Sequence, residues 1–405
     1  MSASSPAPLS TAATIGTPTL LLMSVACGLS AGGNYFNQPL LHSIAQDFRI
    51  GEAQASLTVT IAQVSYALGL VLLVPLGDML ERRGLAVGLM LLAAIGQFIS
   101  GFSHGIEMLW AGTAMAGLFS VAAQTLVPMA AVLSAPGRTG RAVGLVMSGL
   151  LTGILAARSV AGVLSGLGGW TLVYRVAGVA MVLVALALWR VLPASRNPVR
   201  SGYGEILRSM ATLAVRFPRL RSRALLGALS FASVSGLFST MALMLSGPAH
   251  GLGDAAIGLV GLVGVAGALM ANVAGRMADR GYLQATTGAC AALLLASWAA
   301  LAAGGHSLPW FLVGMLVIDL ALQGVHISNQ QVVYALLPQA RARLNAVYMT
   351  SYFIGAAAGS AAGSLAWQAG GWAGTCALGA TLALASGAAW WYDLRLERRA
   401  AALAA

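Results

Sequence analysis

The chain breaks into apolar stretches of about 20 residues, each bounded by a short polar connection. They run over 19–41, 53–76, 85–103, 107–132, 142–166, 170–192, 222–246, 255–275, 283–303, 309–336, 344–366 and 371–392. A helix of that length covers the ~30 Å hydrocarbon core of a bilayer while satisfying its own backbone hydrogen bonds. The twelve stretches therefore predict an all-α membrane protein with twelve transmembrane helices. Only 8% of residues are charged and 58% are hydrophobic, whereas a soluble domain carries about 25% charged residues. Soluble fold classes are excluded on that ground.

The net charge is +11, and all 22 basic residues are Arg. Nineteen of them fall in alternate connections or in the C-terminal tail, while the opposite connections carry only Arg49. That asymmetry is the positive-inside pattern and predicts both termini in the cytoplasm. The basic charge reads as a topology signal and an anchor to the lipid bilayer. No aromatic-interleaved basic module accompanies it, so no nucleic-acid partner is expected. The N-terminal Met1 to Pro8 holds no basic residue ahead of the first apolar run. It lacks the charged start of a cleaved signal peptide, so the first span is expected to be retained.

Two loops repeat one another. Gly77-x3-Glu81-Arg82-Arg83-Gly84 and Gly275-x3-Asp279-Arg280-Gly281 lie 198 positions apart, close to half of 405 residues. Each sits between two apolar spans. Duplication of this kind predicts two pseudo-symmetric six-helix bundles, 1–192 and 222–405, with a substrate site between them. The joining segment 193–221 is rich in Pro and Arg. Within it Ile206, Leu207, Met210, Leu213 and Ala214 recur at helical spacing, which predicts a short amphipathic helix on the cytoplasmic face. Gly149-x3-Gly153 and Gly355-x3-Gly359-x3-Gly363 mark corresponding spans of the two halves as close helix contacts.

These features resemble the major facilitator superfamily over essentially the whole chain. The signature loop of that family is Gly-x3-Asp-Arg-x-Gly, and here Glu81 replaces the Asp. Asn34-Tyr-Phe-Asn-Gln-Pro-Leu-Leu41, Thr58-Val-Thr with Ser65-Tyr-Ala-Leu-Gly69, and Leu151-Thr-Gly-Ile-Leu-Ala-Ala-Arg158 are similar to bacterial twelve-span drug, sugar and nucleoside efflux proteins. The resemblance implies a secondary transporter of the bacterial inner membrane. It implies proton-driven export of a small organic solute such as a drug, sugar, nucleoside or siderophore. It also implies a gating role for Gly77, Asp78, Glu81, Arg82 and Gly84 and for the second copy, Gly275, Asp279 and Arg280. One departure stands out. Many proton antiporters of the family carry Gly-Pro in the fifth span, and here no Pro follows Gly153, while Arg158 lies nearby.

Ionisable groups inside spans are costly and normally face a cavity or a partner. Asp319 lies in the tenth span, and His326 follows seven residues later on the same helical face. Asp319, His326 and Arg158 are the proton-coupling candidates. Asp319 comes first because a carboxyl can alternate between a proton and a cationic partner. A structural pair is the competing reading for each. Arg158 could instead hold a polar or anionic substrate, or reach Asp319 from the other half. Arg175 is expected to anchor an interface.

The uncharged cavity candidates are Asn34, Tyr35, Asn37 and Gln38; Gln63 and Tyr66; Gln124; Gln323 and Asn329; and Asn345, Tyr348 and Tyr352. Amides and aromatic rings suit uncharged or amphipathic small molecules. Cys27, Cys290 and Cys376 are far apart inside spans and form no metal or redox motif. No nucleotide loop, metal cluster or nucleophile-base pair is legible. The chain is therefore expected to be no enzyme, to need no cofactor, to take protons and a small molecule as partners, and to act as a monomer. An importer or uniporter of the same fold stays open, as does a receptor-like, non-transporting member.

Overall fold

A computed structural model describes residues 15–135, 138–195, 202–266, 277, 280–337 and 340–404, and no strand occurs among them. Ten helical segments are long and apolar enough to cross a bilayer. They are Thr17–Phe48, Glu52–Gly77, Arg82–Gly101, Ile106–Leu133, Arg141–Gly168, Trp170–Val191, Pro218–Ser246, Leu283–Gly304, Leu308–Leu336 and Arg343–Arg399. The last of these is two spans, because Gly370 and Gly371 leave helical geometry and Gly371 takes φ +56°. That left-handed value favours glycine, which has no Cβ to clash. The remaining span is described over Asp254–Val263. Together these make twelve spans, numbered below in chain order.

The first span runs further than its apolar pattern predicts. Two 3₁₀ turns, Gly33–Tyr35 and Gln38–Leu40, interrupt it before the helix resumes over Leu41–Phe48. Pro39 lacks an N–H for the helical ladder, so the chain breaks locally without turning back.

Pseudo-symmetry is visible in the packing. The fifth span lies on the first, and a Cβ added at Gly153 would stand 2.2 Å from the Gly28 Cα. The eleventh lies on the seventh in the same manner, with a Cβ at Gly359 falling 2.0 Å from the Ala232 carbonyl oxygen. Any side chain at either position would force the two backbones apart. Small residues allow the close van der Waals contact that substitutes for hydrophobic drive inside lipid.

One end of the bundle gathers the signature loop, the described parts of the joining segment, Ile15 and the end of the last helix. There Ile15 N–H donates to the Leu133 carbonyl, Arg82 N–H to Ser195, and the Tyr203 hydroxyl to Leu72. The helix Tyr203–Arg216 lies at this end and buries Ile206, Met210 and Leu213. The opposite end, here the far end, carries the turns at 49–51, 247–253 and 370–371.

A buried ionic network ties the second half together near the terminus end. Arg223 and Asp393, both wholly buried, pair at 2.6 Å. Asp393 also pairs with Arg219 and accepts hydrogen bonds from Ser222 and Gln284. Arg223 donates to Thr287 and Asn329. The seventh, ninth, tenth and twelfth spans are thereby locked into one unit.

Candidate functional site

The signature loop folds because Glu81 caps the third span. Its carboxylate accepts the backbone N–H of Arg83 at 2.8 Å, of Gly84 at 2.7 Å and of Ser195 at 3.0 Å. Burial alone would raise the Glu81 pKa. The N–H groups of Ser195, Gly84 and Arg83 and the Arg83 charge outweigh burial, and they hold it below its ordinary value. A Cβ at Gly84 would lie 3.1 Å from the Glu81 carboxylate, which accounts for the glycine. Arg83 donates to the Leu192 carbonyl at the end of the sixth span and stacks over Trp189 at 4.6 Å. Arg82 reaches the Gly77 carbonyl. All of these partners belong to the first half or the joining segment. Asp78 closes a 3₁₀ turn, Val74–Asp78, and its side chain lies outside the described set. Gly275 and Asp279 lie outside the described residues, and Arg280 is exposed in a turn.

Midway along the bundle lie two buried ionisable groups, Arg158 in the first half and Asp319 in the second. Arg158 is 4% exposed. Its Nε donates to Gln38 Oε1 at 2.5 Å, and its guanidinium lies 3.8 Å from the Phe238 ring centroid and 5.1 Å from that of Tyr35. Gly261 of the eighth span gives the side chain room, since a Cβ there would meet it at 3.1 Å. Asp319 is 8% exposed, and its Oδ2 has no hydrogen-bond partner among the described residues. The Arg158 and Asp319 charges lie within electrostatic reach, but they form no ion pair at 4.0 Å or less. The guanidinium is committed to Gln38 and two rings.

His326 Nδ1 contacts the Tyr348 hydroxyl at 3.0 Å, and its ring lies 4.7 Å from that of Tyr352. Asn329 donates to the same hydroxyl and accepts from Arg223. The polar stripe of the tenth span therefore continues into the Arg223–Asp393 network. Gln330 donates to Asn345 at 3.4 Å, and Gln323 is partly exposed on the same helix. An aromatic cluster completes the region. Tyr66 of the first half meets Phe353 of the second at 4.4 Å, and Tyr352 stacks on Phe231 at 4.1 Å. Gln124 donates to the Tyr66 hydroxyl at 3.5 Å, and the Gln63 Oε1 is buried without a partner.

Asn34 and Asn37 are placed elsewhere. They line a cavity of about 10 Å³ inside the first half with Gln97, Ser100, Thr113 and Tyr174. They serve the interior of one bundle and not the space between two. Phe231, Phe238 and Phe353 pack in the same region, and in the sequence an aromatic in an apolar span reads as packing. Asp393 is missed because it lies one residue beyond the apolar stretch that ends at 392.

Among the described residues, the side-chain hydrogen bonds joining 15–192 to 222–404 lie toward the far end. Ser43 and Ser165 donate to Asp254, and Trp367 donates to Glu52. One or two turns deeper, Ser159 donates to the Gly258 carbonyl, Ser56 to Ser364, and Thr60 pairs with Ser360. Toward the terminus end a cavity of about 160 Å³ opens between the halves, lined by residues that include Gly77, Arg82, Gln124, Met210 and Arg343. The far end thus carries the inter-half hydrogen bonds, and the terminus end carries a cavity between the halves.

The family model described as Major Facilitator Superfamily matches residues 23–359. The uncharacterized transporter YgaY of Escherichia coli O157:H7 is 51% identical over 381 residues, 94% of this chain and 97% of that protein. A chloramphenicol resistance protein of Streptomyces lividans is 28% identical, across 70% of this chain and 72% of its own length. Among solved structures, a bacterial homolog of the human lysosomal transporter Spinster, inward-facing and occupied, aligns with a TM-score of 0.75 at 15% identity. It covers 94% of this chain and 97% of that one, and at this identity the likeness is one of fold.

Proposed function

Because the chain belongs to the major facilitator superfamily and is a multi-pass membrane transporter, we propose that it exports a small organic solute from a bacterial cell in exchange for protons. The halves 1–192 and 222–405 rock about the central site, and 193–221 tethers them. The termini and the signature loop face the cytoplasm, as the Arg distribution supports. The inter-half hydrogen bonds at the far end and the cavity at the terminus end support an inward-facing conformation. The observation that carries this reading is Asp319, a carboxyl 8% exposed whose Oδ2 has no hydrogen-bond partner among the described residues. An ionisable group held in the bilayer without a committed partner is costly, and it marks a transported proton or substrate.

In the cycle, Asp319 holds a proton in one half-turn and yields it when substrate occupies the cavity. Arg158, held between Phe238 and Tyr35, supplies the cationic group of the site. His326, Tyr348, Tyr352, Gln63, Tyr66 and Gln124 contact the solute, with the aromatic rings giving area and the amides giving orientation. The signature loop keeps the third and sixth spans together as the halves move, through Glu81 and Arg83. The drug name carried by the S. lividans relative makes chloramphenicol the first compound to test.

The test is accumulation of labelled compounds in cells stripped of their own exporters. Expression should lower accumulation of at least one of chloramphenicol, a nucleoside, a sugar or a siderophore. A protonophore and Asp319→Asn should each restore it. Raised accumulation on expression would mean import and would overturn the direction assigned here.

A further inference from the structure

The far-end closure contains a second internal repeat that has no part in the signature loops. Gly51-Glu52-Ala53 and Gly253-Asp254-Ala255 begin the second and eighth spans, and positions 51 and 253 are 202 residues apart. The spacing matches the duplication of the halves. In both copies the glycine is extended and precedes the helix, at φ −67° for Gly51 and −80° for Gly253, and the acid is the first helical residue. Each acid then reaches into the opposite half. Glu52 accepts from Trp367 Nε1 at 2.9 Å across the seam of the second and eleventh spans. Asp254 accepts from Ser43 of the first span and Ser165 of the fifth, both at 2.6 Å, across the seam that these make with the eighth.

We propose that Glu52 and Asp254 are a duplicated latch, one carboxylate per seam, which the transport cycle must break to open the far end. The inference rests on the alternating-access reading above. The chemistry suits a reversible lock. Hydrogen bonds to a carboxylate are short and roughly twice as strong as neutral ones. Both acids are only partly buried, and Asp254 borders a crevice of about 670 Å³ at this end. A released carboxylate is therefore hydrated at once, so opening does not strand a buried charge. The backbone is built for the closed state as well. A Cβ at Gly162 would lie 2.3 Å from the Asp254 carbonyl oxygen, so the seam can shut this tightly only on glycine.

The experiment uses the full chain in nanodiscs with spin labels at His104→Cys and His306→Cys. Both positions are exposed in far-end turns, one in each half. The buried native cysteines are removed by Cys27→Ala, Cys290→Ala and Cys376→Ala. Electron double resonance then reads the ratio of long to short distances. Glu52→Ala or Asp254→Ala should raise that ratio about tenfold, and the double variant more, as two independent seams would give. Ser43→Ala with Ser165→Ala keeps Asp254 and should reproduce its loss. It also serves if Asp254→Ala does not fold. Combining all three should add nothing beyond Asp254→Ala alone. Gly162→Trp crowds the seam and should give the long distance outright. A wild-type distribution in the Glu52→Ala, Asp254→Ala double variant, with Gly162→Trp opening normally, would overturn the latch. No opening in Gly162→Trp would refute alternating access itself, and the latch with it.

Discussion

Replacing Asp393 by Ala should destabilise the second half. The side chain is wholly buried and meets Arg223 at 2.6 Å, Ser222 at 2.5 Å, Gln284 at 2.9 Å and Arg219 at 3.2 Å. Arg219 keeps Glu397 at 3.1 Å and is partly exposed, so its loss is small. Arg223 is the costly survivor, since it stays fully buried with only Thr287 and Asn329 as neutral acceptors. Removing one member of a buried pair costs about 3–5 kcal/mol, mostly from the charge left behind. The retained Thr287 and Asn329 contacts put the expected loss near the low end, about 3 kcal/mol. Thermal and SDS-titration unfolding of the purified protein in detergent would measure it. Arg223→Leu with Asp393→Leu should lose less than Asp393→Ala alone, because no unpaired charge remains. Asp393→Ala within about 0.5 kcal/mol of wild type, a typical surface effect, would refute the reasoning. So would a double variant worse than the sum of its singles.

Two further outcomes follow from the packing and the loop. Gly359→Leu should prevent accumulation of folded protein in the membrane, since its Cβ would collide with the Ala232 carbonyl at 2.0 Å; fluorescence size-exclusion of a tagged protein checks it. Glu81 has a folded-state pKa below its ordinary value. Its contribution to stability is therefore present above the ordinary carboxylate range and is lost as pH falls through the folded value. Melting temperature should fall on acidification by more in wild type than in Glu81→Gln, and equal slopes would count against the cap.

The sequence made the twelve spans legible because the bilayer imposes one strong length rule on apolar helices. The Gly149-x3-Gly153 and Gly355-x3-Gly359 spacings were equally readable, since only small residues let backbones meet. The polar residues were harder. Asn34 and Gln38 lie four residues apart in one broken segment, yet Asn34 lines the interior of the first half while Gln38 accepts from Arg158. Each sits in its own 3₁₀ turn, Gly33–Tyr35 and Gln38–Leu40, and helical periodicity cannot foresee such turns. Arg158 and Asp319 could each be found as a charge inside a span, but not their separation, which depends on how the halves meet. Arg223 hid within a run of interfacial arginines, where a buried partner leaves no mark in the pattern. Glu52 and Asp254 sat at helix starts, where an acid is ordinary, and only their reach across the seams sets them apart.

In the proposed cycle Asp319 exchanges a proton for substrate. Everted membrane vesicles with a ΔpH-sensitive dye test it most directly, with wild type and Asp319→Asn side by side and chloramphenicol, nucleosides, sugars and siderophores added in turn. At least one compound should collapse the gradient in wild type and leave it intact in Asp319→Asn. An equal collapse in both would contradict it, because the proton would then travel without this carboxyl.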